Sequence, residues 1–346
     1  MMTLLMSLLL AAAPVSAQST ATLRGVDVYR SSVLTSTKAR ELFGPRLAEI
    51  VMLRNQRRPA STAKAEAVRR GIELEAAKIP GIADARLAVT EYFTSVDHAM
   101  YATFDVVDEI DRGRLAFAPE PKRTVADPAG LLAAWKSYYD LGSDLTRRGQ
   151  MPVDRPDCPG FYCLWGGATP ELEALQQKFI AGAAAKEREL RTVLTHEADP
   201  EKRAAAVFVL SYGTRGEKVL EACFAALKDP SAVVRGAGLQ ILADIINHRK
   251  DMPVAAERIL PLLDDPSSSV RRKTLGLLVP LVDAKEQRPK ILSSAPRLLE
   301  LLKLSEPGGH DLAFTVLSQL AQKAFGRRDY ASWEKWISES TEGLRR

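Results

Sequence analysis

The order of apolar and polar positions divides the chain into a strand-bearing first third and a helical remainder. Residues 4–13 are almost wholly apolar, too short a run to span a bilayer as a helix. Residues 23–29 alternate apolar and polar side chains, the period-two pattern of a half-buried strand. Two amphipathic helices are predicted over 37–52 and 61–78. Two more alternating strands, 85–93 and 99–107, flank a turn at 94–98. The order β-α-α-β-β describes a small α+β domain over residues 22–110. Residues 116–127 are rich in proline and charge, which places a linker at 111–127. A helix over 128–147 carries Trp135, Tyr138 and Tyr139, whose spacing suits a docking face. Residues 151–170 read as a loop. From 171 to 340 the pattern is helical throughout, so the chain as a whole is mostly helical.

That helical part repeats itself. Arg203 opens Arg-Ala-Ala-Ala-Val-Phe-Val-Leu, Arg235 opens Arg-Gly-Ala-Gly-Leu-Gln-Ile-Leu, and Arg271 opens Arg-Arg-Lys-Thr-Leu-Gly-Leu-Leu. A fourth core at His310 keeps the apolar positions and has lost the Arg. Each of the first three follows an Asp-Pro pair: Asp199-Pro200, Asp229-Pro230 and Asp265-Pro266. Aspartate can cap the helix that follows, and proline is tolerated in a first turn because its missing N–H has no partner there. Ala205, Ala206, Ala237 and Gly238 leave room for close helix approach. Further amphipathic helices are predicted ahead of the four cores, over 172–194, 217–227, 254–263 and 295–302. Each unit buries its apolar face only by stacking on its neighbours.

The motif Asp229-Pro230-x-x-x-Val234-Arg235, repeated at Asp265-Pro266-x-x-x-Val270-Arg271, resembles the second-helix signature of HEAT repeats. Asp199-Pro200 with Arg203 is a shortened form. The resemblance covers residues 171–325 and implies an α-solenoid in which Asp and Arg form a ladder between repeats. On that reading Asp199, Arg203, Asp229, Arg235, Asp265 and Arg271 are scaffolding, in preference to an anion-binding arginine row. Trp333, Trp336 and Ile337 fall on a capping helix. In the first third, a strand, a helix ending near a Phe-Gly (Phe43-Gly44) and a closing hairpin resemble the polypeptide-transport-associated (POTRA) domain over residues 22–108. That likeness implies protein interaction in the bacterial envelope.

Composition adds compartment more than chemistry. Apolar residues make up 46% and charged ones 26%, ordinary for a folded protein, and the formal charge of +5 is spread among acidic residues. Nucleic acid is therefore not an expected partner. The apolar stretch ends at Val15-Ser16-Ala17, which fits signal-peptidase cleavage between Ala17 and Gln18 and removal of residues 1–17. It lacks a basic n-region, so a buried helix of a cytosolic protein is the alternative. No later stretch reaches the roughly 18 apolar residues of a membrane span. Cys158 and Cys163 suit a small disulfide loop in an oxidising compartment, with free thiols or part of a metal site as alternatives. Cys223 reads as a buried thiol. The loop 151–170 either locks the array to the preceding domain or forms a recognition surface.

His98, His196, His248 and His310 are scattered, and no metal, nucleophile or phosphate-loop motif is present. No catalytic residue, metal or cofactor is expected. The leading expectation is a periplasmic or secreted scaffold for a protein partner. The alternatives are an exported hydrolase-like enzyme using the 151–170 loop, and a cytosolic HEAT adaptor if the N-terminus is retained.

Overall fold

Residues 22–29, 82–93 and 98–108 build a three-stranded sheet. The computed structural model describes residues 20–94, 97–151, 158–213 and 215–342. The apolar stretch 4–13 and the cleavage site at Ala17 lie outside the described residues. Strands β1 (Thr22–Tyr29), β2 (Ile82–Phe93) and β3 (His98–Asp108) are arranged in the order β1-β3-β2. β1 runs parallel to β3, with Asp27 opposite Thr103 and Tyr29 opposite Asp105. β2 runs antiparallel to it, with Leu87 opposite Phe104. The parallel pairing needs a crossover. Helices α1 (Ser36–Asn55) and α2 (Pro59–Ala76) lie on that path. Thr35 caps α1 by accepting from the Lys38 N–H, and Pro59 sits in the first turn of α2. These helices cover one sheet face, where Phe43 stacks on Phe104 with ring centroids 5.4 Å apart, amid Leu47, Ile50 and Ile72. The β-α-α-β-β order agrees with the pattern of the sequence. β3 is buried along nearly its whole length, and Asp105 on it meets the helical part at Ser268 and Arg271.

That part begins with α3 (Leu131–Arg147) and α4 (Pro170–Ala185), which pack together and against the first repeat. The pairs that follow are α5 (Glu187–His196) with α6 (Pro200–Leu210) and α7 (Gly216–Ala226) with α8 (Ala232–His248). Next come α9 (Ser268–Leu281), α10 (Arg288–Leu292), α11 (Ala295–Leu302) and α12 (Pro307–Ala321), and α13 (Tyr330–Glu342) packs against α11 at the end. The second helices α6, α8, α9 and α12 stack in succession. Gly238 lets α8 meet α7 closely: a Cβ there would stand 2.8 Å from the Cys223 carbonyl oxygen. Trp333 of α13 is fully buried and donates its indole N–H to the Gly326 carbonyl at 3.0 Å.

Two expected helices differ. The helix over 172–194 is broken at Lys186 (φ −117°, ψ 20°), which lets α4 pack on α3 while α5 pairs with α6. The helix over 254–263 is replaced by two 3₁₀ turns, Ala256–Arg258 and Leu260–Asp264. Pro261 explains this, because it supplies no N–H and its ring would meet the carbonyl four residues back in an α-helix. The expected linker 111–127 is a strap bound along the repeats. Ala118 N–H donates to the Lys228 carbonyl at 2.8 Å, and Arg123 pairs like a strand with 196–198, receiving the Ala198 N–H at 2.7 Å.

Candidate functional site

The strap, the sheet and the turns between paired helices meet along one edge, where the repeat arginines lie. Arg235 reaches in two directions. Its Nη1 donates to the Asp229 and Pro230 carbonyls of its own turn at 2.8 and 2.9 Å. Its Nε and Nη2 donate to the Asp265 carboxylate of the next repeat at 2.7 and 2.8 Å. Arg203 repeats the arrangement, with the Glu197 and Ala198 carbonyls on one side and both Asp229 oxygens, each at 2.8 Å, on the other. Asp229 and Asp265 also accept the Ser231 and Ser267 N–H groups at 2.7 and 2.8 Å. One carboxylate therefore ties two repeats and holds the residue that starts a helix. Burial opposes the Arg203 charge, yet the Asp229 carboxylate outweighs it and holds the guanidinium above its ordinary pKa.

The two ends of the row are finished by other means. Asp199, expected as the first ladder carboxylate, is exposed and caps α6 locally by accepting the Glu201 N–H at 2.9 Å. The position six ahead of Arg203 is Glu197, which is buried and accepts Asp199 N–H at 3.0 Å and Val125 N–H of the strap at 2.6 Å. At the far end Arg271 donates to the Asp265 carbonyl at 2.8 Å, but its carboxylate comes from the sheet. Asp105 of β3 accepts Arg271 Nη2 at 2.5 Å through Oδ1 and Ser268 N–H at 2.8 Å through Oδ2. Among the described residues Arg271 Nε has no hydrogen-bond partner. Burial pushes the Asp105 carboxyl above its ordinary pKa, against the pull of Arg271.

Aromatic rings close over the arginines. Phe117 of the strap lies 4.1 Å from the Arg235 guanidinium and Tyr29 of β1 lies 4.0 Å from that of Arg271. The Tyr29 hydroxyl donates to the Leu263 carbonyl at 2.8 Å, and burial pushes its pKa up to about 12. Further along, Asp27 accepts the Ser305 N–H at 2.9 Å and the Glu306 N–H at 3.2 Å. Glu306 itself caps α12 through the Gly308 and Gly309 N–H groups and bonds Tyr92 of β2. Burial, and then Glu306, push the Tyr92 hydroxyl to about 12. The arginine row is thus an enclosed framework whose charges meet protein groups.

The other residues singled out by sequence lie elsewhere. Cys158 and Cys163 form a disulfide, Cys158 exposed and Cys163 buried. Their loop is pinned to the end of α6: Phe161 N–H donates to the Ser211 carbonyl at 2.8 Å, and the Ser211 hydroxyl donates to the Tyr162 carbonyl at 3.3 Å. The Tyr138 hydroxyl accepts the Trp165 N–H and donates to the Gly166 carbonyl, so the loop is tied to α3 as well. Trp135 and Tyr138 are buried against Phe179, whereas Tyr139 is half exposed beside Trp165. Cys223 is fully buried, which pushes its thiol to about 12. His98 bonds Glu91, His310 the Leu302 carbonyl and His196 the Thr195 hydroxyl; His248 is at the end of α8. Among the described residues no three His, Cys, Asp or Glu are grouped to hold a metal, and no helix is long and apolar enough to cross a membrane.

Residues 187–278, from the start of α5 to near the end of α9, match the family model described as HEAT repeats. No curated protein and no solved structure matches the chain.

Proposed function

We propose that this chain, a HEAT-repeat protein over residues 187–278, is a protein-binding scaffold of the bacterial envelope. The observation that carries the reading is the repeat array itself, with its arginines engaged internally. An array of stacked pairs presents an extended surface whose side chains vary while the framework is held by the ladder. Because strap and sheet cover the ladder edge, a partner would meet the exposed helix faces, where Val233 of α8 and Tyr139 of α3 are about half exposed. Export is supported by the apolar stretch ending at Val15-Ser16-Ala17 and by the Cys158–Cys163 disulfide.

Site-directed photo-crosslinking tests the binding surface. A photoreactive residue at position 233 or 139 of the full chain should capture one discrete partner in intact cells, and one at the buried Leu239 should not. Identical background at all three positions would count against the scaffold reading. N-terminal sequencing of the native protein tests export: Gln18 is expected first, and retained Met1 would contradict it.

A further inference from the structure

The sheet domain is held to the solenoid almost wholly by polar contacts. Of the described residues ahead of Val125, Tyr29 alone shares the solenoid's apolar core. Elsewhere the contacts are hydrogen bonds and ion pairs: Arg30 on the Asp264 carboxylate, Arg114 on the Asp264 carbonyl, Tyr92 on Glu306, and carboxylates placed at helix starts, Asp105 at Ser268 of α9 and Asp27 at Ser305 and Glu306, just ahead of α12. An anion is favoured at such positions by the unpaired N–H groups and the helix dipole. The Asp105 rung is also incomplete. Arg203 and Arg235 each place two nitrogens on two oxygens, whereas Arg271 places one and its buried Nε has no partner among the described residues. The turn joining the sheet to the strap, Glu109–Leu115, buries none of its residues, while the strap beyond it is bonded to the repeats. Polar interfaces of this kind favour relative domain motion.

We propose that the sheet domain is a releasable latch, and that its release uncovers a carboxylate-binding row, Arg271 with the starts of α9 and α12, which takes an acidic extended segment of a partner protein. The occupant is inferred from what fills the row now, two aspartates on neighbouring strands, Asp27 and Asp105. The partner half rests on the protein-binding reading; the latch half does not.

Amide hydrogen exchange on the full chain tests the latch. The Ser268, Ser305 and Glu306 amides, bonded to sheet carboxylates, should exchange roughly tenfold or more faster than the Ser231 and Ser267 amides held within the ladder. A Cβ at Gly25 would lie 3.0 Å from that of Ser305, so a Gly25→Cys/Ser305→Cys disulfide is within reach of a small shift. The oxidised staple should abolish the difference. Equal protection with and without the staple would overturn the latch.

A fluorescent hexa-aspartate peptide then tests the row. It should bind the Asp27→Asn/Asp105→Asn chain roughly tenfold or more tighter than the stapled chain, as expected when a binding-competent state is released. Should that double variant not fold, Asp27→Asn alone alters only a partly exposed side chain and serves in its place. Equal binding to released and stapled chains, or preference for a phosphopeptide over the aspartate peptide, would overturn the acidic-segment assignment. Neither result bears on partners captured at positions 139 or 233.

Discussion

Replacing Asp265 by alanine removes the forward partner of Arg235 where neither side chain has any solvent exposure. Arg235 keeps its bonds to the Asp229 and Pro230 carbonyls, but Nε and Nη2 lose acceptors at 2.7 and 2.8 Å and the Ser267 N–H loses its acceptor. Leaving one member of a buried ion pair without its counter-charge costs about 3–5 kcal/mol. Asp199→Ala is the informative contrast, since Asp199 has the same Asp-Pro setting but caps α6 at an exposed position. Loss of such a cap costs about 1 kcal/mol. Urea unfolding of the oxidised chain, followed by far-ultraviolet dichroism and tryptophan fluorescence together, measures both. The double variant Arg235→Met/Asp265→Leu should recover most of the Asp265→Ala loss, because the buried charge leaves with its partner. Equal costs for Asp199→Ala and Asp265→Ala would refute the division between internal rungs and local caps.

Glu197→Gln should flatten the acid side of the stability profile. Burial alone would raise the Glu197 carboxyl, but the Asp199 and Val125 N–H groups hold it below its ordinary 4.5. Its contribution is then complete above the unfolded value and lost as pH falls through the lower folded one, so urea midpoints of wild type and variant should differ more at neutral pH than well below that window. Reducing Cys158–Cys163 should cost about 2 kcal/mol, from the entropy of so short a loop, and lower the thermal midpoint. Cys223, buried with its thiol near 12, should resist iodoacetamide in the native chain and react on unfolding.

The repeats were legible because their chemistry is local: Asp, Pro, Val and Arg at fixed spacing specify a cap, a first turn, a core contact and a rung. The sheet was legible for the same reason, its alternating stretches 85–93 and 99–107 lying inside β2 and β3. What sequence could not supply depends on distant residues. Asp105 is 166 positions from the Arg271 it serves, and nothing in an alternating strand marks it as a rung. A clue was nevertheless present. Arg271 is followed by a repeat that opens with Glu306-Pro307 in place of its neighbours' Asp-Pro, a departure from the Asp carboxylate that completes the other rungs. Glu197 was obscured by the more conspicuous Asp199-Pro200 nearby. Pro261 was a readable signal against a helix at 254–263, outweighed there by apolar periodicity.

The sheet domain completes the solenoid's ladder through Asp105 and Arg271. A double-mutant cycle with Asp105→Ala and Arg271→Met, read by urea unfolding, measures that link directly. A real rung predicts that the double variant costs less than the sum of the singles by about 1–3 kcal/mol. Additivity within about 0.5 kcal/mol would contradict it.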